Sequence, residues 1–311
     1  QGRVNGVQFD VAVLTNLTRD HLDYHGTVEA YAEAKRKLFH WPALQQAVLN
    51  LDDAFGRRLA EELQAGSVQV WGYGVGNAAD YPAHSVIATA AKFDAQGIQA
   101  SVVTPSGSGE LQAPVLGRFN LHNLLAALST LLAKGLPLDT ALDALKQVQT
   151  VPGRMQRVQV AGKAEDVLVV VDFAHTPTAL QQALRAAKAH TTGRLICVFG
   201  CGGDRDAGKR PLMAKIAEQE ANHVIVTDDN PRTENPELIF SHIQAGFAQA
   251  ELVSFEHDRA AAIRLAIQQA KAGDTVVIAG KGHETVQILA DRSIPFDDRT
   301  QAALALQEYG A

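Results

Sequence analysis

Apolar positions along this chain come in short blocks whose spacing switches between that of strands and that of helices. Residues 9–16 form an apolar run of strand length, and a polar stretch follows at 18–26. Residues 28–39, rich in Ala, Glu and Lys, have helical spacing. A short strand at 48–50 and a helix at 53–63 come next. Between residues 68 and 116 the pattern changes to alternating runs, 68–71, 85–90 and 99–104, broken by Gly, Pro and Asn. Such alternation predicts antiparallel strands at one side of a sheet. Helices are predicted over 123–132 and 138–146, joined through Gly135-Leu136-Pro137.

Val151-Pro152-Gly153-Arg154 is the best domain boundary, and a regular strand–helix alternation follows it. Strands are predicted at 167–173, 194–199, 223–227, 252–255 and 275–279, with helices near 178–190, 209–220, 236–250 and 258–270. That order predicts a doubly wound α/β sheet. The 311 residues are enough for two domains of ordinary size. Hydrophobic residues make up 46% and charged residues 20%, as in a soluble globular protein. A net charge of -6 argues against a general nucleic-acid binder, though not against a local basic pocket. No apolar run approaches the roughly 18 residues of a membrane span, and no signal peptide is visible. A cytoplasmic protein is expected. Cys197 and Cys201 are too few for a structural zinc site and read as packing residues. The chain opens on Gln1 rather than Met, which reads as the middle of a longer protein.

Candidate chemistry gathers just past the strands. Asp228-Asp229-Asn230-Pro231-Arg232 puts an amide and a guanidinium fork at a strand C-terminus, where open α/β sheets bind small ligands. Such a pair can hold a carboxylate. Ala279-Gly280-Lys281-Gly282-His283-Glu284 follows another strand, and Glu284 can accept bonds from an ammonium group. The alternative there is an ordinary strand-to-helix turn. Gly203 to Arg210 fits G-x-x-x-x-G-K, but Arg210 stands where a phosphate-binding loop needs Ser or Thr. The segment is better read as presenting Arg205, Lys209 or Arg210 to an anion. In Asp172-Phe173-Ala174-His175-Thr176-Pro177, Asp172 can bind a ribose hydroxyl and His175 a phosphate, with a helix cap at Thr176 as the competing account. Asn120 and Asn123 can cap a helix or touch a base edge. His21, His25, Asp20 and Asp23 can ligate a metal or serve as acid and base, or simply form a polar loop. Lys35 is not distinguishable from Lys37 by pattern alone.

Taken in order, TNLTRDHLDYHG with AYAEAK, GRFNLHN, VPGRMQ, VDFAHTP, GCGGDRDAGKRPLM, DNPR and AGKGHE resemble the Mur ligase family across essentially the whole chain. The DNPR segment looks like the branch that adds diaminopimelate. The resemblance implies residues 1–150 as the remainder of a central ATPase domain, a mostly parallel sheet with an antiparallel edge. It implies 151–311 as a Rossmann-like doubly wound domain that takes the incoming amino acid. It further implies an ATP-dependent amide ligation through an acyl phosphate, in peptidoglycan synthesis. The substrates would be a UDP-N-acetylmuramoyl dipeptide and meso-diaminopimelate.

By the same resemblance, Lys35 is carbamylated and stands with His21 at Mg2+. Asn120 and Asn123 contact adenine, while Arg154, Asp172 and His175 serve the ATP ribose and phosphates. Arg205, Asp229, Asn230, Arg232, Gly280 and Glu284 hold diaminopimelate, and Gln1 and Arg3 match positions that touch the muramoyl precursor. A monomer is expected. The family's phosphate-binding loop and catalytic glutamate would fall before Gln1, so this chain alone is expected to be inactive. Alternatives are another ligase of the superfamily, such as a folylpolyglutamate synthetase, or a non-catalytic amino-acid-binding module.

Overall fold

A computed structural model describes residues 4–17, 22–161 and 166–309. The chain divides into two units. One comprises Gln1–Lys92, Ile98–Pro114 and Phe119–Val148, and the other Phe93–Gly97, Val115–Arg118 and Gln149–Ala311.

The first unit is built on β1 (Val11–Leu14), α1 (Leu22–His25), α2 (Val28–Phe39), β2 (Gln46–Asn50), α3 (Ala54–Leu63), β3 (Gln69–Val75), β4 (Ser85–Asp94), β5 (Gly97–Thr104), β6 (Gly107–Ala113), α4 (Arg118–Ala133) and α5 (Leu138–Leu145). Thr27 and Asp53 cap α2 and α3 by accepting backbone N–H bonds. Ala12, Leu14, Ala47 and Leu49 bury one strand face against Ala32, Phe39, Phe55 and Leu59 of these helices. The sheet runs β1-β2-β3-β4-β5-β6. The sequence expectation holds at the edge, where β5 and β6 pair antiparallel, and is corrected at β3, which pairs with β4 in parallel. The Tyr81 hydroxyl, in the β3–β4 link, donates to Asp52 Oδ1 at 2.6 Å and to the Val75 carbonyl at 3.1 Å. These bonds anchor the link at the C-terminal end of β3.

The second unit contains β7 (Gln156–Val158), β8 (Leu168–Asp172), α6 (Pro177–Lys188), β9 (Leu195–Phe199), α7 (Lys209–Glu220), β10 (His223–Thr227), α8 (Pro236–Gln244), β11 (Ser254–Glu256), α9 (Arg259–Gln269), β12 (Thr275–Ala279), β13 (Val286–Ile288), β14 (Ser293–Pro295) and α10 (Asp298–Glu308). The main sheet runs β11-β10-β9-β12-β8-β7, parallel except for β7. Its central strands are buried on both faces, which is why they read as unbroken apolar runs. Val170, Cys197, Phe199, Val226 and Val277 point to one core with Leu180, Leu184, Met213 and Ile239. Val169, Val171, Ile196, Val198, Ile225 and Ile278 point to the other, with Ile263, Ile267 and Ala302. Both cysteines are free and buried, so the packing role holds. The helix expected over 236–250 stops at Gln244, and the strand expected at 252–255 is a short 3-10 turn followed by β11. The chain steps from β8 through β9 and β10 to β11 in one direction and then reverses to β12, which inserts between β9 and β8. A crevice opens at such a switch point, beyond the strand C-termini.

Candidate functional site

That crevice is a cleft of about 440 Å³. Loops after four parallel strands line it: Phe173, His175 and Thr176 after β8; Gly200 to Gly202, Arg205, Asp206 and Lys209 after β9; Asp229, Asn230 and Arg232 after β10; Gly280 and Glu284 after β12. Glycine allows the loops to meet. A Cβ at Gly200 would stand 2.1 Å from the Thr227 carbonyl oxygen, and one at Gly203 1.9 Å from that of Pro231. Any larger residue would force the β9 and β10 loops apart.

Arg232 sits at φ 53°, a left-handed conformation that is uncommon outside glycine. Its backbone N–H donates to the Ile288 carbonyl at 3.1 Å, and Nη1 donates to the Gly203 carbonyl at 2.9 Å. Both bonds fix the guanidinium at the cleft wall. Asn230 Nδ2 donates to Glu284 Oε2 at 2.9 Å. Asn230 Oδ1 accepts from Lys281 Nζ at 2.8 Å and from the Ile288 N–H at 3.0 Å. Burial alone would oppose ionisation of Glu284, but the bonds from Asn230 and Lys281 hold its carboxyl below the usual range. Burial raises Asp229 above that range, against the pull of Arg259 and Lys281. Asp229 Oδ1 is buried without a hydrogen-bond partner. The cleft thus offers donors (Arg205, Arg232, Asn230) beside acceptors (Glu284, Asp229), the complement of a zwitterionic head group.

Asp172 is buried at the end of β8, and Oδ2 accepts the Met155 N–H at 2.7 Å. Burial raises its pKa, with Met155 and Arg154 acting in the other direction. The exposed Arg154 guanidinium lies 5.2 Å from the Phe173 ring centre. His175 is exposed, its Nδ1 2.8 Å from the Phe173 carbonyl oxygen. Thr176 caps α6 through Ala179 N–H, so the capping account holds for Thr176 and leaves His175 open to the cleft. Lys209 Nζ donates to the His175 carbonyl at 2.8 Å.

Arg210 does not face a ligand. It is fully buried and grips Glu234 by two bonds of 2.6 and 2.7 Å. The strongest effect on Glu234 is that bond, which brings its pKa down to about 2. In the first unit, Asn120 and Asn123 lie inside α4 rather than at its cap, and Asn123 Nδ2 donates to Asn120 Oδ1 at 2.9 Å. Lys35 is half-buried, unlike exposed Lys37; its Nζ donates to the Asn16 carbonyl at 3.3 Å and lies 5.0 Å from the Tyr31 ring centre. His25 stacks on Tyr31. Gln1, Arg3, Asp20 and His21 fall outside the described residues. Among the described residues, no three His, Cys, Asp or Glu side chains converge as a metal site.

Sequence reasoning passed over several residues that support the loops around the cleft from behind. Lys281 has no exposed surface. Arg259 and Asp298 form a wholly buried ion pair, with bonds of 2.7 and 2.8 Å, and Arg259 Nη2 also donates to the Ala279 carbonyl at 3.1 Å. His257 stacks on Phe240, with Nδ1 3.0 Å from Asp228 Oδ1 and Nε2 3.1 Å from Glu237 Oε1. For Lys281 a signal was available, a lysine held between two glycines directly after a buried strand.

A doubly wound sheet with a polar cleft beyond its strand C-termini, offering donors beside acceptors, defines an α/β unit of the ligand-cleft class. Residues 1–131 match the Mur ligase middle domain, and 153–282 match the Mur ligase glutamate ligase domain. The chain belongs to the Mur ligase family. It is 51% identical over 311 residues to the UDP-N-acetylmuramoyl-L-alanyl-D-glutamate–2,6-diaminopimelate ligase of Ectopseudomonas mendocina, covering 100% of this chain and 62% of that protein. It is 52% identical over 306 residues to the ligase of the same name from Coxiella burnetii, covering 98% of this chain and 62% of the relative. A solved structure of a diaminopimelate ligase of that name superposes with a TM-score of 0.79 at 41% identity, over 99% of this chain and 62% of its own. The chain therefore spans a little under two thirds of the length of these relatives.

Proposed function

We propose that this chain forms the amine-selecting part, and some of the nucleotide-handling part, of an ATP-dependent ligase. That ligase joins meso-diaminopimelate to UDP-N-acetylmuramoyl-L-alanyl-D-glutamate in peptidoglycan synthesis. The observation that carries this reading is the cleft where Arg232, Asn230 and Glu284 converge from two strand ends. It is supported by about 50% identity to diaminopimelate ligases along the whole chain.

In this reading the D-glutamate side-chain carboxylate attacks the terminal phosphorus of ATP, and ADP leaves. The diaminopimelate amine then attacks the carbonyl carbon of the acyl phosphate. The tetrahedral adduct collapses, the C–O bond to phosphate breaks, and the nitrogen loses its proton. Arg205, Asp229, Asn230, Arg232, Gly280 and Glu284 hold the amino acid for that attack. Asn120 and Asn123 serve the adenine; Arg154, Asp172 and His175 serve the ribose and phosphates. Residues 1–150 and 151–311 divide these tasks. A carbamate on Lys35 would turn a cation into an oxygen donor. That carbamate and His21, which lies outside the described residues, would hold Mg2+, and the ion would screen the phosphate charges.

Calorimetry of the 311-residue chain with meso-diaminopimelate, L-lysine and D-glutamate tests the proposal. Diaminopimelate is expected to bind tightest, because it alone carries a second amino-acid head group on an aliphatic chain. Preference for lysine would overturn the reading of the cleft.

A further inference from the structure

We propose that Lys281 is a positioning residue that fixes which hydrogen-bonding groups the cleft shows its ligand. This rests on the reading of the cleft as an amino-acid site. Lys281 lies wholly inside the protein, three residues before Glu284, and its ammonium touches three partners of the recognition wall. Nζ is 2.8 Å from Asn230 Oδ1, 3.2 Å from Glu284 Oε2 and 3.7 Å from Asp229 Oδ1.

The consequence follows from donor and acceptor chemistry. An ammonium offers only donors, and so does the Ile288 N–H. Both face the same atom of the Asn230 side chain, which must therefore be the oxygen. The carboxylate of Glu284 only accepts, so the Asn230 nitrogen must face it. The amide cannot flip without setting donor against donor on one side and acceptor against acceptor on the other. Asn230 is left with one N–H to give a ligand and no free oxygen to offer an ammonium. Glu284 Oε2 already takes bonds from Asn230 and Lys281, which leaves Oε1 as its free acceptor. A buried positive charge thus sorts the wall into a donor half and an acceptor half before any ligand arrives. Without it, Glu284 would lose its ion-pair partner, Asp229 would keep only the pull of Arg259, and the Asn230 amide would lose one of the two donors that orient it.

Two measurements on the 311-residue chain test this. In nitrogen-15-labelled protein, a buried and hydrogen-bonded Lys281 ammonium gives a slowly exchanging NH3 signal. Asn230→Ala is expected to remove or shift it, and added diaminopimelate is expected to shift it. Lys281→Met, checked for folding by near-ultraviolet circular dichroism, is expected to bind diaminopimelate at least tenfold more weakly. Absence of a protected ammonium signal overturns the proposal. So does wild-type affinity in a folded Lys281→Met variant. If that variant does not fold, the wild-type signal decides: a shift with diaminopimelate supports the role, and no shift overturns it. A wild-type chain that shows the signal yet binds no diaminopimelate defeats the proposed function, and it reduces Lys281 to a structural ion.

Discussion

Arg232 and Arg259 carry the same charge, yet they behave as opposites. Arg232 lines the cleft with its guanidinium tethered only to main-chain carbonyls, so its charge remains available to a ligand carboxylate. Arg232→Ala should weaken diaminopimelate binding by about 2 kcal/mol, the scale of a lost charge-assisted pair, with unfolding by urea nearly unchanged. Equal affinity in the variant would remove Arg232 from recognition. Arg259 is spent inside the protein on Asp298. Breaking such a pair strands a buried charge, so Arg259→Met should cost about 3–5 kcal/mol in urea unfolding, and Arg259→Met with Asp298→Leu should recover much of it. A double variant no better than the single would show that the loss comes from packing. The first arginine was legible in the sequence because it sits in a loop just after an apolar run. The second was not. Its burial depends on a partner 39 residues further on, and nothing local to Arg259 records that partner.

At the scale of elements, the cleft depends on how closely loops approach and on which groups titrate beneath them. Gly203→Ala places a methyl 1.9 Å from the Pro231 carbonyl oxygen, a backbone atom that cannot swing aside. Diaminopimelate affinity should fall by tenfold or more while the overall melting temperature moves little, since the two cores of the sheet are untouched. A variant with normal affinity would mean that the loops tolerate separation. His190 gives an element-scale pH dependence. Its Nδ1 lies 2.6 Å from the Asp94 carbonyl and so must donate, and its Nε2 accepts the Gly117 N–H at 2.8 Å. Burial holds its pKa below the ordinary value, with the Asp94 carbonyl opposing. A depressed folded-state pKa contributes stability that is full above the unfolded value, about 6.5, and fades as pH falls through the folded one. The melting-temperature advantage of wild type over His190→Gln should therefore shrink on acidification from pH 7.5 to 5. A constant or growing gap would contradict the neutral tautomer. The strands above this layer were legible because burial on both faces writes continuous apolar runs. The antiparallel edge of the other sheet was legible too, but β3 was wrongly grouped with it, since alternation reports which face a residue takes and not which way its strand runs. The direction of β4 is decided by the link through Tyr81, whose anchor, Asp52, lies in a different part of the sequence.

At the scale of the whole molecule, the proposed reaction makes two different demands, selecting an amine and activating an acid. A triphosphate is held by a ring of main-chain donors at a helix start, with a lysine that reaches its outer phosphates. The sequence offers one stretch with that outline, Gly203 to Arg210, and each of its features is already committed. Arg210 is buried on Glu234, Lys209 bonds the His175 carbonyl, and Asp204 accepts the Thr233 N–H and hydroxyl at 3.0 and 2.9 Å. That loop braces the cleft after β9 and β10, and its aspartates would repel a polyphosphate. The 311-residue polypeptide by itself should therefore bind meso-diaminopimelate in the calorimeter, and the same sample should release no ADP above background when ATP and both other substrates are supplied. Binding without turnover is the expected pair of results. Turnover would require a phosphate cradle within these residues other than the β9 loop.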